Sequence, residues 1–140
     1  MKIRATAIAI GNRAYLIMGP SGFGKSSLAL SLIRSGARLV SDDTTIVEQQ
    51  TVIAPKDYSG WLEVRGIGLL SGFPVRRRAT IAGVIELVSK QPDRMPLDAE
   101  KQIGAQKFPL FRIWNQDANG ADKVMVIDQM LQGKLRKEEK

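Results

Sequence analysis

The segment Gly19-Pro20-Ser21-Gly22-Phe23-Gly24-Lys25-Ser26 fits the phosphate-binding pattern G-x-x-x-x-G-K-[ST] at every fixed position. Glycines let the backbone wrap closely around phosphates, and the helix that follows directs the positive end of its dipole at the same anion. The pattern predicts that Lys25 reaches the β- and γ-phosphates of a nucleoside triphosphate and that the Ser26 hydroxyl holds Mg²⁺. The residues predicted to line the nucleotide are Gly19, Pro20, Ser21, Gly22, Phe23, Gly24, Lys25, Ser26 and Ser27.

The sequence on either side of this segment agrees with the pattern. Residues 14–18 are apolar throughout and predict a buried strand, whereas Ser27–Ser35 predicts a helix that ends at Gly36. The apolar positions of that helix are Leu28, Leu32 and Ile33, with Leu30 on the flank. A glycine-rich turn with a surface lysine is the alternative, but it does not require this order of strand, loop and helix.

Composition limits the classes of function. The 140 residues, 44% of them hydrophobic, predict one globular domain over residues 1–140. No run of about 18 apolar residues and no secretory signal pattern is present, so neither membrane insertion nor secretion is indicated. The absence of cysteine fits a cytoplasmic protein. Because histidine is also absent, acid or base chemistry must come from carboxylates, lysine or tyrosine, and zinc held by histidine is excluded.

The net charge of +7 is concentrated partly in Arg76–Arg78 and partly in the tail Lys134–Lys140. An acidic partner or nucleic acid is therefore worth considering. The interspersed Glu138 and Glu139 instead favour a solvated helix end, and none of the eight aromatic residues alternates with the basic clusters. Nucleic-acid binding is accordingly disfavoured.

Two short strands precede the phosphate-binding segment. Ile3–Ile10 and Arg13–Met18 are separated by Gly11-Asn12, a hairpin signal that gives the strand before the loop an antiparallel neighbour. A mixed sheet follows from this pairing. After the helix, Ala37–Val40 is predicted to form the second parallel strand.

Further elements are predicted from alternation, helical spacing and the positions of glycine and proline. They are a hairpin of Thr44–Glu48 with Thr51–Ala54, an alternating segment Leu62–Gly68, a strand Ile81–Val88 interrupted by Gly83, a loop Gln91–Pro96, a strand Pro109–Trp114, and a helix Gly120–Leu135 capped by Asn119 with Val124, Ile127, Met130 and Leu131 on one face.

Two adjacent carboxylates, Asp42 and Asp43, follow the strand that comes after the helix. The crossover places them beside the phosphate-binding loop, at the carboxyl edge of the sheet where ligands bind in open α/β folds. There a carboxylate can accept a proton from an attacking hydroxyl or hold the water shell of Mg²⁺. The alternative for an Asp-Asp pair after a strand is a simple turn.

Two parts of the chain carry a resemblance to a known family. They are the sequence from Ala5 through Asp43, which includes Leu39-Val40-Ser41-Asp42-Asp43, and the segment Leu62-Glu63-Val64-Arg65-Gly66-Ile67-Gly68. In these parts the chain resembles the catalytic domain of bacterial HPr kinase/phosphorylase. The resemblance covers Ile3 to about Val88, and the segment Leu62–Gly68 is its most specific part. It implies an α/β P-loop kinase domain with a mixed sheet, similar to phosphoenolpyruvate carboxykinase. It also implies that ATP, with Mg²⁺, phosphorylates a serine of HPr, the phosphocarrier of the sugar phosphotransferase system, and that the reverse phosphorolysis occurs.

The resemblance also implies roles for individual residues. Asp42 matches the general base, with Asp43 beside it, and Glu63 matches the partner of Ser26 at the metal. Arg65 belongs to the same signature and is expected to neutralise phosphoryl charge. For Glu63 and Arg65 an exposed cross-strand ion pair is the alternative.

The chain departs from the family pattern in three respects. Arg4 stands where relatives usually carry a histidine near the catalytic aspartate, and Pro20 replaces an acidic residue. If Arg4 approaches Asp42, its fixed charge makes that carboxylate a poorer proton acceptor, and we expect kinase activity to survive better than phosphorolysis. The chain also lacks the separate amino-terminal domain and a glycine-rich carboxyl-terminal loop, as in the short form of some proteobacteria. Homo-oligomerisation is left open.

Three functions are compatible with these observations. The favoured one is an ATP-dependent protein serine kinase that acts on HPr in the regulation of the phosphotransferase system and carbon metabolism. A second is a module that senses ATP without efficient transfer, and a third is a small-molecule kinase with a phosphate-binding loop.

Overall fold

The computed structural model describes residues 1–138, which form a curled nine-stranded mixed sheet, a separate two-stranded sheet and two helices. Glu139 and Lys140, the end of the basic tail, lie outside the described residues. The strands are β1 (Lys2–Arg4), β2 (Thr6–Ile10), β3 (Arg13–Met18), β4 (Arg38–Ser41), β5 (Thr44–Glu48), β6 (Thr51–Ile53), β7 (Leu62–Val64), β8 (Gly68–Leu70), β9 (Arg78–Val88), β10 (Ala99–Ile103) and β11 (Gln106–Trp114). The helices are α1 (Lys25–Arg34) and α2 (Gly120–Leu131).

The strand that leads into the phosphate-binding loop, β3, lies at the centre of the large sheet. It pairs antiparallel with β2 and parallel with β9, which confirms the mixed sheet. The strand order is β1-β5-β6-β9-β3-β2-β4, and β11 continues the sheet beyond β9 in parallel. The prediction of β4 as a second parallel strand needs a correction, because the strand that β4 pairs with is β2, antiparallel, and its one parallel contact is an isolated bridge from Leu39 to Val75. It runs in the direction of β3 but is separated from it by β2.

The predicted strand Ile3–Ile10 is broken at Ala5. Its first part, β1, pairs with β5, and its second part, β2, pairs with β3 and β4. Because β1 and β2 are consecutive but lie near opposite ends of the strand order, the sheet must curl. The inner side of β2 and β3 is lined by small residues, among them Ala7, Ala9 and Ala14, which suits the tight curl.

Alternation along the strands divides the buried residues into two cores. One fills the concave side of the sheet, and the other lies between the sheet and the helices. The second core holds Ile8, Tyr15 and Ile17 of the sheet against Leu28 and Leu32 of α1. It therefore fixes the helix that begins at the phosphate-binding loop.

The carboxyl-terminal third differs most from prediction. Strand β10 was not predicted, and β11 begins at Gln106 instead of Pro109. Helix α2 ends at Leu131 instead of Leu135, since Gly133 adopts a φ of 79° and the chain turns away. Val124 is buried as predicted, whereas Leu131 is exposed. Asn119 precedes α2 without a side-chain capping bond.

The described residues form two helices, α1 and α2. Neither helix is long and apolar enough to span a membrane.

Candidate active site

The phosphate-binding loop follows the end of β3 and leads directly into α1. Gly19, Gly22 and Gly24 adopt φ values of 152°, 85° and 91°, a region that favours glycine. Gly19 also lies against β9, because a Cβ atom there would be 3.2 Å from the carbonyl oxygen of Leu87. The loop is thus held close to the sheet, and the first turn of α1 points its N–H groups into it.

The Lys25 side chain turns back over the loop. Its ammonium group donates hydrogen bonds to the carbonyl oxygens of Gly19, at 2.7 Å, and Pro20, at 3.2 Å. The positive charge is therefore held at the loop, where an anion would be bound.

Asp42 connects the loop helix to three other parts of the fold. Its Oδ1 accepts hydrogen bonds from the hydroxyls of Ser26, at 2.8 Å, and Thr6, at 3.0 Å. Its Oδ2 accepts the backbone N–H of Glu63 at 3.3 Å. The residue is only 5% exposed. Three donors fix the orientation of this buried carboxylate.

Asp43 is in a different environment, although it is the next residue. Its φ is 67°, its backbone N–H donates to the Thr6 hydroxyl at 3.2 Å, and its side chain is 59% exposed. The guanidinium of Arg4 lies 3.6 Å from its carboxylate. Arg4 thus forms its ion pair with Asp43, and not with Asp42, the contact that the sequence analysis considered.

Strands β7 and β8 form a hairpin over residues 62–70, and β7 packs on α1. Leu62 is fully buried against the helix, which brings the backbone of Glu63 to Asp42. The side chains of Glu63 and Arg65 are exposed, and neither takes part in a salt bridge among residues 1–138. The cross-strand ion pair is therefore not formed in this part of the chain. Arg65 instead lines a cleft beside Gly22 and Gly24.

Tyr58 lies behind the hairpin and was not singled out from the sequence. Its hydroxyl donates to the carbonyl oxygen of Trp61, and the two rings are 5.4 Å apart. Burial, and then the negative charge of Asp42, raise the pKa of Tyr58. It therefore stays neutral and supports the segment that carries Glu63.

Within residues 1–138, no group of three or more histidine, cysteine, aspartate or glutamate side chains could hold a metal ion. Mg²⁺ commonly takes only one or two ligands from the protein and completes its octahedron with phosphate oxygens and water. The donor set at the loop, the Ser26 hydroxyl with the Asp42 carboxylate behind it, fits that mode of binding.

Thr6 is a site residue that the sequence analysis missed. It is fully buried, donates to Asp42 and accepts from the backbone of Asp43, so it positions both carboxylates. The sequence did carry one signal for Thr6. It is the single polar residue in a strand whose other residues are all alanine or isoleucine, so its hydroxyl would need a buried partner.

A second cluster of charged residues lies away from the loop, between β3 and α2. Asp128 is 2% exposed and accepts two hydrogen bonds from Arg13, at 2.8 and 2.9 Å, and one from Tyr15 at 2.7 Å. Burial alone would raise the pKa of Asp128, but the bonds from Arg13, Tyr15 and Gln132 outweigh it and the pKa is lowered. Because all its partners belong to the protein, this cluster is a structural connection between helix and sheet.

Comparisons with known proteins show which family the chain belongs to. The family model described as the HPr Serine kinase C-terminal domain matches residues 1–107. The HPr kinase/phosphorylase of Malacoplasma penetrans is 33% identical over 114 residues, which are 70% of this chain and 38% of that protein. The HPr kinase/phosphorylase of Geobacillus kaustophilus is 38% identical over 101 residues, 61% of this chain and 32% of that protein. The chain thus spans about a third of the length of these curated relatives.

A solved structure shares the fold. The Hpr(Ser) kinase/phosphatase from Coxiella burnetii superposes with a TM-score of 0.79 at 24% sequence identity, covering 96% of this chain and 99% of that one. The mixed sheet and its helices therefore have the fold of that structure. Because the family model covers well over half of its length, this chain belongs to the HPr serine kinase C-terminal domain family.

Proposed function

We propose that this chain binds MgATP at the loop of residues 19–26 and transfers the γ-phosphoryl group to a serine hydroxyl of the phosphocarrier protein HPr. The observation that carries the proposal is the contact of the Ser26 hydroxyl with Asp42, since it joins the loop helix to a pair of carboxylates. The names of the curated relatives support HPr as the substrate, and they also support the reverse phosphorolysis of phosphoserine.

Binding of the triphosphate rests on the backbone of the loop and on Lys25. The glycine conformations let N–H groups converge on an anion, and the start of α1 adds its dipole. On binding, the Lys25 ammonium exchanges its carbonyl partners, Gly19 and Pro20, for phosphate oxygens. Mg²⁺ would be held by the Ser26 hydroxyl and phosphate oxygens, with Asp42 and Glu63 nearby, and when bound it neutralises charge on the phosphates.

The two aspartates divide the remaining tasks. The sequence favours Asp42 as the general base, but Asp42 is buried and already accepts three hydrogen bonds. Asp43 is exposed and is bound only loosely to Arg4, so a serine hydroxyl can reach it. We assign proton acceptance to Asp43 and orientation of Ser26 to Asp42.

The serine oxygen forms a bond to the γ-phosphorus, the bond between that phosphorus and the β-γ bridging oxygen breaks, and the serine proton passes to the carboxylate of Asp43. ADP leaves with the bridging oxygen. Lys25 and Arg65 counter the charge on the phosphoryl oxygens, which is the main demand of this chemistry. A small-molecule acceptor would need the same residues, so the identity of the acceptor is a separate question.

The test is incubation of the chain with HPr, Mg²⁺ and ATP, followed by mass spectrometry. A phosphoserine on HPr that depends on Lys25 and on both aspartates is the expected result. Tight binding of ATP without phosphoserine would instead make the chain a nucleotide-sensing module. Phosphorylation of small hydroxylated metabolites, with HPr unmodified, would make it a metabolite kinase.

A further inference from the structure

The hairpin of β7 and β8 carries the densest group of exposed apolar side chains among residues 1–138. Ten large apolar residues are exposed, and three of them, Ile67, Leu69 and Leu70, lie within four positions. The exposed fractions of Ile67 and Leu69 are 74% and 62%. Scattered exposed apolar residues are ordinary, but a contiguous group marks a surface that another molecule covers.

This apolar group lies beside the candidate active site. Leu69 is directly opposite Glu63 across the hairpin, so the two side chains share one face. The backbone N–H of Glu63 donates to Asp42 at 3.3 Å, and Asp43 follows with an exposed carboxylate. A protein whose serine reaches Asp43 would therefore lie over the hairpin as well, whereas a small metabolite would leave it uncovered.

A small pocket continues the apolar surface beyond the hairpin. Its volume is about 210 Å³, and its lining includes Tyr58 and the exposed Val75. The Tyr58 hydroxyl donates to the carbonyl oxygen of Trp61, the residue directly before β7, so the pocket and the hairpin are adjacent. Val75 forms a bridge with Leu39, which is three residues before Asp42, or about 10 Å along a strand. The same bound protein can therefore cover the pocket.

The edge of the pocket is positively charged. Arg76 and Arg77 line it, and neither forms a salt bridge within residues 1–138. Arg76 donates to the side-chain oxygen of Asn12, and Arg77 donates to the carbonyl oxygen of Pro55, both of which are uncharged groups. Because complementary charge attracts and orients a partner, this edge fits a protein surface that carries carboxylates. The apolar side chains beside it favour a protein over a nucleic acid.

We propose that Ile67, Leu69, Val75, Arg76 and Arg77 form a docking surface for the protein substrate. The inference rests on the proposed function, in which that substrate is HPr. An apolar patch beside the target serine covers Ile67 and Leu69, an apolar side chain enters the pocket next to Val75, and a carboxylate pairs with Arg77. These contacts lie outside the phosphate-binding loop and the aspartate pair, so they select the protein without taking part in the transfer.

Steady-state kinetics with HPr at saturating MgATP test the docking surface. The double variant Ile67→Thr/Leu69→Thr removes apolar contacts at exposed positions, and threonine suits a strand. The KM for HPr is expected to rise about tenfold, with kcat and the affinity for ATP within twofold of the wild type. Arg77→Gln should raise the KM about fivefold by removing one charge. The matched controls, Leu97→Thr and Arg94→Gln, change an exposed leucine and an exposed arginine in the loop between β9 and β10, and they should leave the KM unchanged.

The outcomes separate this inference from the proposed function. If the wild type phosphorylates HPr and either variant keeps an unchanged KM, the inference fails while the proposed function stands. Equal increases in the controls, or a fall in kcat or ATP affinity in place of the rise in KM, also overturn it. Sedimentation velocity tests a second copy of this chain as the occupant: the wild type and the double variant should sediment alike, and dissociation of the double variant overturns the inference. If the folded wild type places no phosphate on HPr, the proposed function and the inference fall together.

Discussion

The hydroxyl of Ser26 donates a 2.8 Å hydrogen bond to the carboxylate of Asp42. The two residues come from different elements, the first turn of α1 and the end of β4, and the bond fixes the distance between the phosphate-binding loop and the aspartate pair. Asp43 is adjacent in sequence yet points into solvent towards Arg4. Under the proposed function, this arrangement assigns a different task to each aspartate, and the two tasks can be tested separately.

Replacement of each aspartate by asparagine should produce different defects. Asp43→Asn removes the proposed proton acceptor, so we expect kcat for HPr phosphorylation to fall about 100-fold with little change in ATP affinity. Asp42→Asn removes the carboxylate that orients Ser26. In this variant both kcat and the affinity for MgATP should fall. Steady-state kinetics with calorimetry of nucleotide binding will distinguish them. A large loss of kcat in Asp42→Asn alone, with Asp43→Asn fully active, would reverse the assignment.

Lys25→Ala should reduce the affinity for MgATP. The lost charged hydrogen bonds to phosphate are worth about 2 kcal/mol, roughly 30-fold in the dissociation constant. Calorimetry measures the change, and circular dichroism checks that α1 is intact. Lys137→Ala removes an exposed lysine that pairs with Asp98; neither residue lines the cleft beside the loop, and this variant serves as the control. Unchanged ATP binding in Lys25→Ala would rule out the loop as the phosphate site.

Thr6→Val should lower activity through the aspartates, which Thr6 positions without reaching the substrate. Valine keeps the volume but leaves Asp42 without one donor and the N–H of Asp43 without an acceptor, at a cost of about 1–3 kcal/mol. We expect a lower kcat at nearly unchanged KM for HPr. Thr6→Ser retains the hydroxyl and should recover most of the activity. Equal loss in both variants would indicate a packing effect only.

Arg4→His should restore phosphorolysis relative to the forward reaction. In the wild type we expect kinase activity to exceed phosphorolysis, because arginine stays protonated and cannot return a proton to the leaving serine. Histidine opposite Asp43 can do so, and its titration should add an inflection near about pH 6.5 to the rate of the reverse reaction. Arg4→Lys keeps the charge and should behave as the wild type. Phosphorolysis that already equals or exceeds the forward rate in the wild type would refute this expectation.

Asp128→Asn should destabilise the fold in a pH-dependent way. The pKa of Asp128 is lowered in the folded state, so its contribution is present above the unfolded value of about 3.9 and is lost as the pH falls through the folded value. At pH 7 the loss should be about 3 kcal/mol, and it should shrink below roughly pH 4. Urea unfolding at several pH values measures this difference. Asp98→Asn, at a 94% exposed carboxylate, is the control and should change little.

Local sequence patterns predicted several parts of the fold well. Three elements follow from turn residues and spacing: the hairpin before the loop, helix α1, which ends at Arg34 shortly before Gly36, and the hairpin around Gln49-Gln50. The break at Ala5 has no local signal, because it results from two strands pairing with opposite ends of a curled sheet. Strand β10 is polar at most positions and is defined by its pairing with β11.

At the site, the sequence placed Asp42 beside Ser26 correctly, because a crossover of fixed handedness leaves few alternatives. It did not identify the partner of Arg4. That choice depends on the left-handed backbone of Asp43, which turns one carboxylate inward and the next outward. Thr6 was missed because its role arises from contacts with residues that lie 36 and 37 positions away in the chain.

The close approach of Gly19 to Leu87 has a further consequence for affinity. A loop pressed against β9 is preorganised, so the conformational entropy of shaping the anion cradle is lost when the protein folds and not when the nucleotide arrives. A side chain at Gly19 should therefore disturb both the packing of the loop on β9 and the proposed nucleotide binding, because one close contact serves both.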